Sequence, residues 1–186
     1  MGATLELLRR HVGIWEGRYT HLDARSLAVL ERQIFRIRVE VPASGNVSYR
    51  QTSHYWWPDG REQQLVYEGS MQGDTLHINS DRMSGTCHAI STGALYLEFG
   101  YSATPELRIA EMIQLSVDGR CRARTWHWLR SGELERITLV REQRRSDDPA
   151  HWPAQHQRPA LDYDGAAGRS HCQLVRRDRA AYDRSR

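Results

Sequence analysis

Between Arg108 and Arg141 apolar and polar residues alternate with a period of two, interrupted only at Asp118-Gly119 and Ser131-Gly132. Both dipeptides suit two-residue hairpin loops, so the pattern predicts three consecutive antiparallel strands. Pairing about the first turn sets Leu115 against Arg122, Ile113 against Arg124 and Glu111 against Trp126. Pairing about the second sets Trp126 against Ile137, Arg124 against Leu139 and Trp128 against Glu135. One face then carries Ile109, Glu111, Ile113, Leu115, Arg124, Trp126, Trp128, Ile137 and Leu139. The other carries Ala110, Met112, Thr125, His127, Arg136, Thr138 and Val140.

The same alternation recurs upstream. Strands are expected from Gly13 through His21 and over Gln33–Val41, Tyr49–Trp57, Gln63–Met71, Thr75–Asn79, Arg82–Ile90 and Ala94–Tyr101. Leu5, Leu8 and Val12 have helical spacing behind Thr4, which predicts a short helix with Thr4 as its N-cap. Asp23–Ser26 reads as a turn, and Leu27–Arg32 is compatible with a helix. About nine or ten short strands in sequence, joined by tight loops without a long crossover, predict an all-β fold. The expected form is an antiparallel up-and-down barrel, because closure removes sheet edges that a meander would expose. Residues 1–145 form this barrel in the reading, and 146–186 a polar, irregular C-terminal extension. Trp152 and Tyr163 are expected to pin that extension at the barrel mouth. A terminal element is expected near Cys172–Val175, with a mobile arginine-rich tail as the equal alternative.

Candidate chemistry sits on the two faces. Glu111 lies between Ile109 and Ile113, where a carboxylate is costly unless paired or protonated. Arg124 is its diagonal neighbour on the facing strand. The pair is either a structural ion pair or the polar centre of a ligand cavity with a shifted carboxyl. The strand Tyr49–Trp57 puts Gln51, Ser53, Tyr55 and Trp57 on one amphiphilic face, the texture of a pocket wall. Its alternative is an exposed aromatic edge at Trp56-Trp57. His127, opposite Arg136, could equally line the interior.

Composition narrows the rest. The chain has 186 residues, 39% hydrophobic and 26% charged, as in an ordinary globular domain. All 26 basic residues are arginine, which excludes Schiff-base chemistry. A net charge of +3 with acids interleaved gives no nucleic-acid signature. Cys87, Cys121 and Cys172 are scattered, and no signal peptide or membrane-length run is visible, so a reduced cytoplasmic protein is expected. Phosphate loops, nucleophile elbows and metal-binding histidine helices are absent, and neither a metal nor a cofactor is expected.

Gly13-Ile14-Trp15 opening the first strand after a short helix resembles the lipocalin and fatty-acid-binding (calycin) group. There the tryptophan lies at the closed end beneath an arginine from a late strand, a part that Arg136 or Arg141 would take. A closer likeness is to an uncharacterised bacterial family of calycin-like domains. It rests on Trp15–Asp23, Tyr49–Gly60, Glu111-Met-Ile and Arg122-Ala-Arg-Thr-Trp-His-Trp128. That resemblance implies a fold and brings no activity. The carboxylate-binding Arg-x-Tyr of fatty-acid-binding proteins has its nearest analogue in Arg124-Thr-Trp126. Heme barrels of this shape use a late histidine, for which His127 could be tried, though no spacing selects heme.

The expected function is to enclose a hydrophobic metabolite, with cofactor-independent isomerisation or cyclisation in secondary metabolism as the leading reading. Glu111 is then the base or acid, Tyr55 and His127 proton donors, and Arg124 the group that binds a substrate oxygen. Trp126, Trp128, Trp57, Gln51 and Arg136 complete the substrate wall. A non-catalytic carrier and a protein-interaction scaffold are the alternatives. No nucleic acid or membrane partner is expected, and a homodimer is left open.

Overall fold

The computed structural model describes residues 2–153 and 157–163. Helix α1 (Ala3–Arg10) precedes ten antiparallel strands. These are β1 (Gly13–Asp23), β2 (Val29–Glu40), β3 (Tyr49–Trp56), β4 (Glu62–Gln72), β5 (Thr75–Asn79), β6 (Met83–Ser91), β7 (Ala94–Tyr101), β8 (Thr104–Leu115), β9 (Cys121–Arg130) and β10 (Glu133–Ser146). Each strand pairs with its sequence neighbour, and β10 closes on β1. The meander is therefore a closed barrel without a free edge. No helix among the described residues is long and apolar enough to cross a membrane.

Two local expectations give way. Leu27–Arg32 is not helical: Leu27 and Leu30 are exposed, so a helix there would have no apolar face to bury. Instead Asp23 holds the turn by accepting hydrogen bonds from the Arg25 and Ser26 amides, and β2 begins at Val29. Thr4 does not cap α1. Gly2 is the N-cap, and the Asp74 carboxylate accepts from the Thr4 amide at 2.9 Å. The Thr4 hydroxyl accepts from the Ala89 amide, which ties the helix to β6. Leu7 and Leu8 then pack among Leu76, Ile78, Cys87 and Leu95, so α1 stoppers one end of the barrel. That burial, not propensity, holds so short a helix.

The β8–β9 register is as the turn predicts, with Leu115 opposite Arg122, Ile113 opposite Arg124 and Glu111 opposite Trp126. The β9–β10 register is not. The Ser131-Gly132 turn forms with positive φ at both residues, but a bulge between Leu134 and Arg136 then inserts one residue. A one-residue slip reverses every side chain of a strand. Thr138 and Val140 are consequently buried, while Leu139 is 46% exposed on the outer wall. Trp126 faces Thr138 rather than Ile137, and Arg124 faces Val140 rather than Leu139. The strand also runs on to bring Glu142 opposite Arg122 and into the interior.

Beyond β10 the chain turns at Pro149–His151 and lies on the outer wall. Trp152 packs under Arg38 of β2, and the Gln157 carbonyl accepts from Arg36. Trp152 thus sits on the wall rather than at the mouth, and Tyr163 stacks with Arg158 of its own segment. The element expected near Cys172–Val175 lies outside the described residues.

Candidate ligand cavity and its polar centre

The barrel interior has two connected chambers. An inner chamber reaches from α1 to mid-barrel, with walls that include Leu8, Leu76, Leu95, Ile113, Glu111 and Arg124. A vestibule opens at the other end, bordered by His21, Gln33, Trp57, Trp128 and Arg136. Tyr55, Tyr67, Tyr101 and Trp126 border both, forming an aromatic neck.

The polar centre alternates in charge. Arg124 Nε donates to Glu111 Oε1, and its Nη1 donates to Glu142 Oε1 at 3.1 Å. Arg122 Nε donates to the other oxygen of Glu142. All four side chains are at least nine-tenths buried. Gly17 of β1 stands opposite Glu142, and a Cβ there would lie 2.9 Å from Glu142 Cγ and 2.3 Å from the Arg141 carbonyl. The missing side chain is what admits the carboxylate. Arg122 and Arg144 each lie 4.6 Å from the Trp15 ring, so these two arginines, not Arg136 or Arg141, attend the Gly-x-Trp tryptophan. Arg122 also donates to His11 Nδ1 at 3.3 Å, and burial with the neighbouring guanidiniums holds that imidazole neutral.

In this interior Tyr19 Oη and His21 Nε2 have no hydrogen-bond partner, whereas the Glu111 carboxyl is held by the facing Trp126 side chain as well as by Arg124. Buried polar groups are normally satisfied, so a cluster of exceptions around a cavity marks where something else can bind. Burial raises the Glu111 carboxyl above the usual range, against the pull of Arg124. Burial likewise raises Tyr19, Tyr49, Tyr55, Tyr67 and Tyr101, so these phenols stay protonated and act as donors. Cys87 is pushed up to about 12 and is a thiol, not a nucleophile.

Of the residues singled out from sequence, Glu111, Arg124 and Gln51 line the inner chamber, Tyr55 and Trp126 the neck, and Trp57, Trp128 and Arg136 the vestibule. Arg136 arrives there through the bulge. Tyr55 Oη is 3.5 Å from Tyr67 Oη, and Gln51 bridges the Tyr49 hydroxyl and Ser53. His127 stands apart: it alternates with the inward Trp126 and Trp128 and pairs beside the outward Ile137, so it lies on the outer wall. Trp56 is 7% exposed and stacks on His54 at 4.0 Å, so Trp56-Trp57 is not an exposed edge.

Interior residues that sequence reasoning did not select include Glu142, Arg122, His21 and the tyrosines Tyr19, Tyr67 and Tyr101. His21 follows Trp15, Gly17 and Tyr19 in the alternation of β1, a signal that was available. Glu142 had no such signal, because only the bulge turns it inward. Among the described residues no three His, Cys, Asp or Glu side chains converge to hold a metal ion.

No family model and no curated protein matches the chain. Solved structures do. The S-type phycobiliprotein lyase CPES from Guillardia theta aligns with a TM-score of 0.59 at 13% identity, over 75% of this chain and 90% of that one. A protein of unknown function from the DUF3598 family of Nostoc punctiforme aligns at 0.56 and 16%, over 74% of this chain. This chain spans about half of that protein, 48% of its length. Rv2717c from M. tuberculosis aligns at 0.53 and 12%, over 76% and 97%. These likenesses are in fold. The protein has the fold of a closed ten-stranded antiparallel up-and-down β-barrel, as the strand pattern of the sequence predicts.

Proposed function

We propose that the protein encloses a small hydrophobic metabolite in its barrel and rearranges it by acid–base chemistry without a cofactor, as an isomerase or cyclase. The observation that carries this is the place of Glu111: its buried carboxyl, held by Arg124 and the facing Trp126, lies in the wall of an apolar chamber. A carboxyl raised by burial is a stronger base than a solvated one and suits proton transfer near neutral pH. Glu111 Oε2 takes a proton from one carbon of the substrate and returns it to another, so no oxidant or reductant is consumed. Tyr55, kept protonated by burial, donates a hydrogen bond to an oxygen that gains charge. Trp126, Trp128 and Trp57 pack on the substrate body, and Gln51 extends the polar wall. A lyase among the fold neighbours fits a barrel of this shape that does chemistry.

A carrier is the second reading, and one observation favours it. Arg124 is already shared between Glu111 and Glu142, the arrangement of a structural ion-pair network. Native mass spectrometry of the freshly purified protein supplies a retained ligand, whose chemistry then defines a substrate series. Glu111→Gln is expected to keep ligand affinity within about threefold while turnover falls by about 100-fold or more. Unchanged turnover in that variant would remove Glu111 from the chemistry. Binding without turnover in the wild type would leave the carrier.

A further inference from the structure

We infer that the open end of the barrel holds the carboxylate of the ligand, gripped by the guanidinium of Arg136 and the Nε2–H of His21. This rests on the reading that the barrel encloses a small molecule, and it assigns that molecule's class: a hydrophobic carboxylic acid whose apolar body points inward.

Arg136 borders the vestibule with its guanidinium 5.4 Å from the Trp128 ring centroid. Among the described residues it has no carboxylate partner, although acids surround it. Asp23, opposite it on β1, accepts from the Arg25 and Ser26 amides and the Ser26 hydroxyl through Oδ1 and forms no ion pair with it. Glu31 accepts from the Gln33 amide and faces Arg61 at 3.7 Å. Glu135 is taken by Arg130 at 2.7 Å. A cation stacked on an indole and left without its counter-ion favours an incoming anion, and a guanidinium matches a planar carboxylate with two parallel donors.

His21 supplies an independent reason. It is 5% exposed, and its Nε2 has no partner. Its tautomer follows from Thr138, which is wholly buried between two groups. The Trp128 indole can only donate, so Thr138 Oγ1 accepts from it at 2.8 Å. The hydroxyl's own proton then goes to His21 Nδ1 at 2.7 Å. That leaves the proton of the neutral ring on Nε2, a buried donor in the vestibule wall with nothing to receive it. His21 pairs with Thr138, and Asp23 with Arg136, so the two donors occupy diagonal positions on one face. One guanidinium and one N–H suit a monoanion better than a dianion. From there the aromatic neck leads into the inner chamber, and the length of the apolar body sets which carbon meets Glu111.

The test uses a matched pair of probes on the full chain, all-trans-retinoic acid and all-trans-retinol, with binding read by tryptophan quenching. Wild type is expected to bind the acid at least about tenfold tighter than the alcohol, the worth of a charge-assisted hydrogen bond. Arg136→Gln should abolish that preference while leaving retinol within about twofold, and Arg136→Lys should restore part of it. His21→Phe should weaken the acid several-fold and spare the alcohol. Equal binding of both probes by wild type, or equal loss of both in Arg136→Gln, would overturn the carboxylate grip and leave the enclosed-ligand reading standing. Binding of neither probe would overturn both.

Discussion

The barrel carries two buried clusters of arginines and glutamates, one on each side of its wall, and they differ in what they leave over. On the outer wall Glu16 accepts from Arg36 with one oxygen and from Arg145 with the other, and the spare Arg36 nitrogen donates to the Gln157 carbonyl. Every strong donor and acceptor of that carboxylate is used. Inside, Glu111, Arg124, Glu142 and Arg122 are more deeply buried and border a chamber, where the Tyr19 hydroxyl beside Arg124 has no partner. A satisfied network fixes structure. One with vacancies around a chamber is arranged for a guest. The same residue types therefore carry different meanings on the two faces, and the pairing tells them apart.

The comparison breaks first at Arg124. Arg124→Met strands the buried Glu111 carboxylate and leaves Glu142 to Arg122 alone, and should cost about 3–5 kcal/mol in urea unfolding. Adding Glu111→Gln to it should return part of that loss. A cost near zero would mean that the inner cluster is solvated.

Next is pH. His21 titrates at about 4, held down chiefly by burial and then by Arg136. The unfolded chain takes the proton near 6.5, so stability is complete above that value and is lost as pH falls toward 4. The effect is on the order of 3 kcal/mol. His11 acts in the same sense. Glu111, raised by burial, acts in the opposite sense above about 4.5. A His21→Gln variant isolates its own term: the pH dependence of stability over this window should flatten relative to wild type.

Glu16→Gln should cost less, about 1–2 kcal/mol, because Arg145 is 46% exposed and can turn to water. A larger loss than at Arg124 would invert the ranking. Glu111→Gln alone should stay within about 1 kcal/mol in stability, since Arg124 keeps Glu142.

Much of the fold was legible because β1 and β8 obey a strict two-residue alternation and their turns announce themselves. The β8–β9 register followed directly and set Glu111 beside Trp126 and diagonal to Arg124. What failed was β10. Ile137 and Leu139 look like core by hydrophobicity, yet they face outward because one bulged residue near Glu135 reverses the strand, and composition does not mark a bulge. That reversal brings Arg136 and Glu142 inside. His127 misled for a related reason: a polar aromatic signals a pocket wall only when its face is known. Leu27–Arg32 misled because local propensity yielded to pairing with β1.

The most direct measurement is a ¹⁵N-indole NMR titration of the full chain with all-trans-retinoic acid. Its six tryptophans report on separate places. Trp126, Trp128 and Trp57 border the two chambers. Trp56 and Trp152 lie on the outer wall, and Trp15 is locked to the His11 carbonyl at 2.8 Å. Saturable shifts of Trp126, Trp128 and Trp57, with Trp56, Trp152 and Trp15 unmoved, are the predicted result. Shifts confined to Trp56 and Trp152 would put the binding surface on the outer wall and contradict the account.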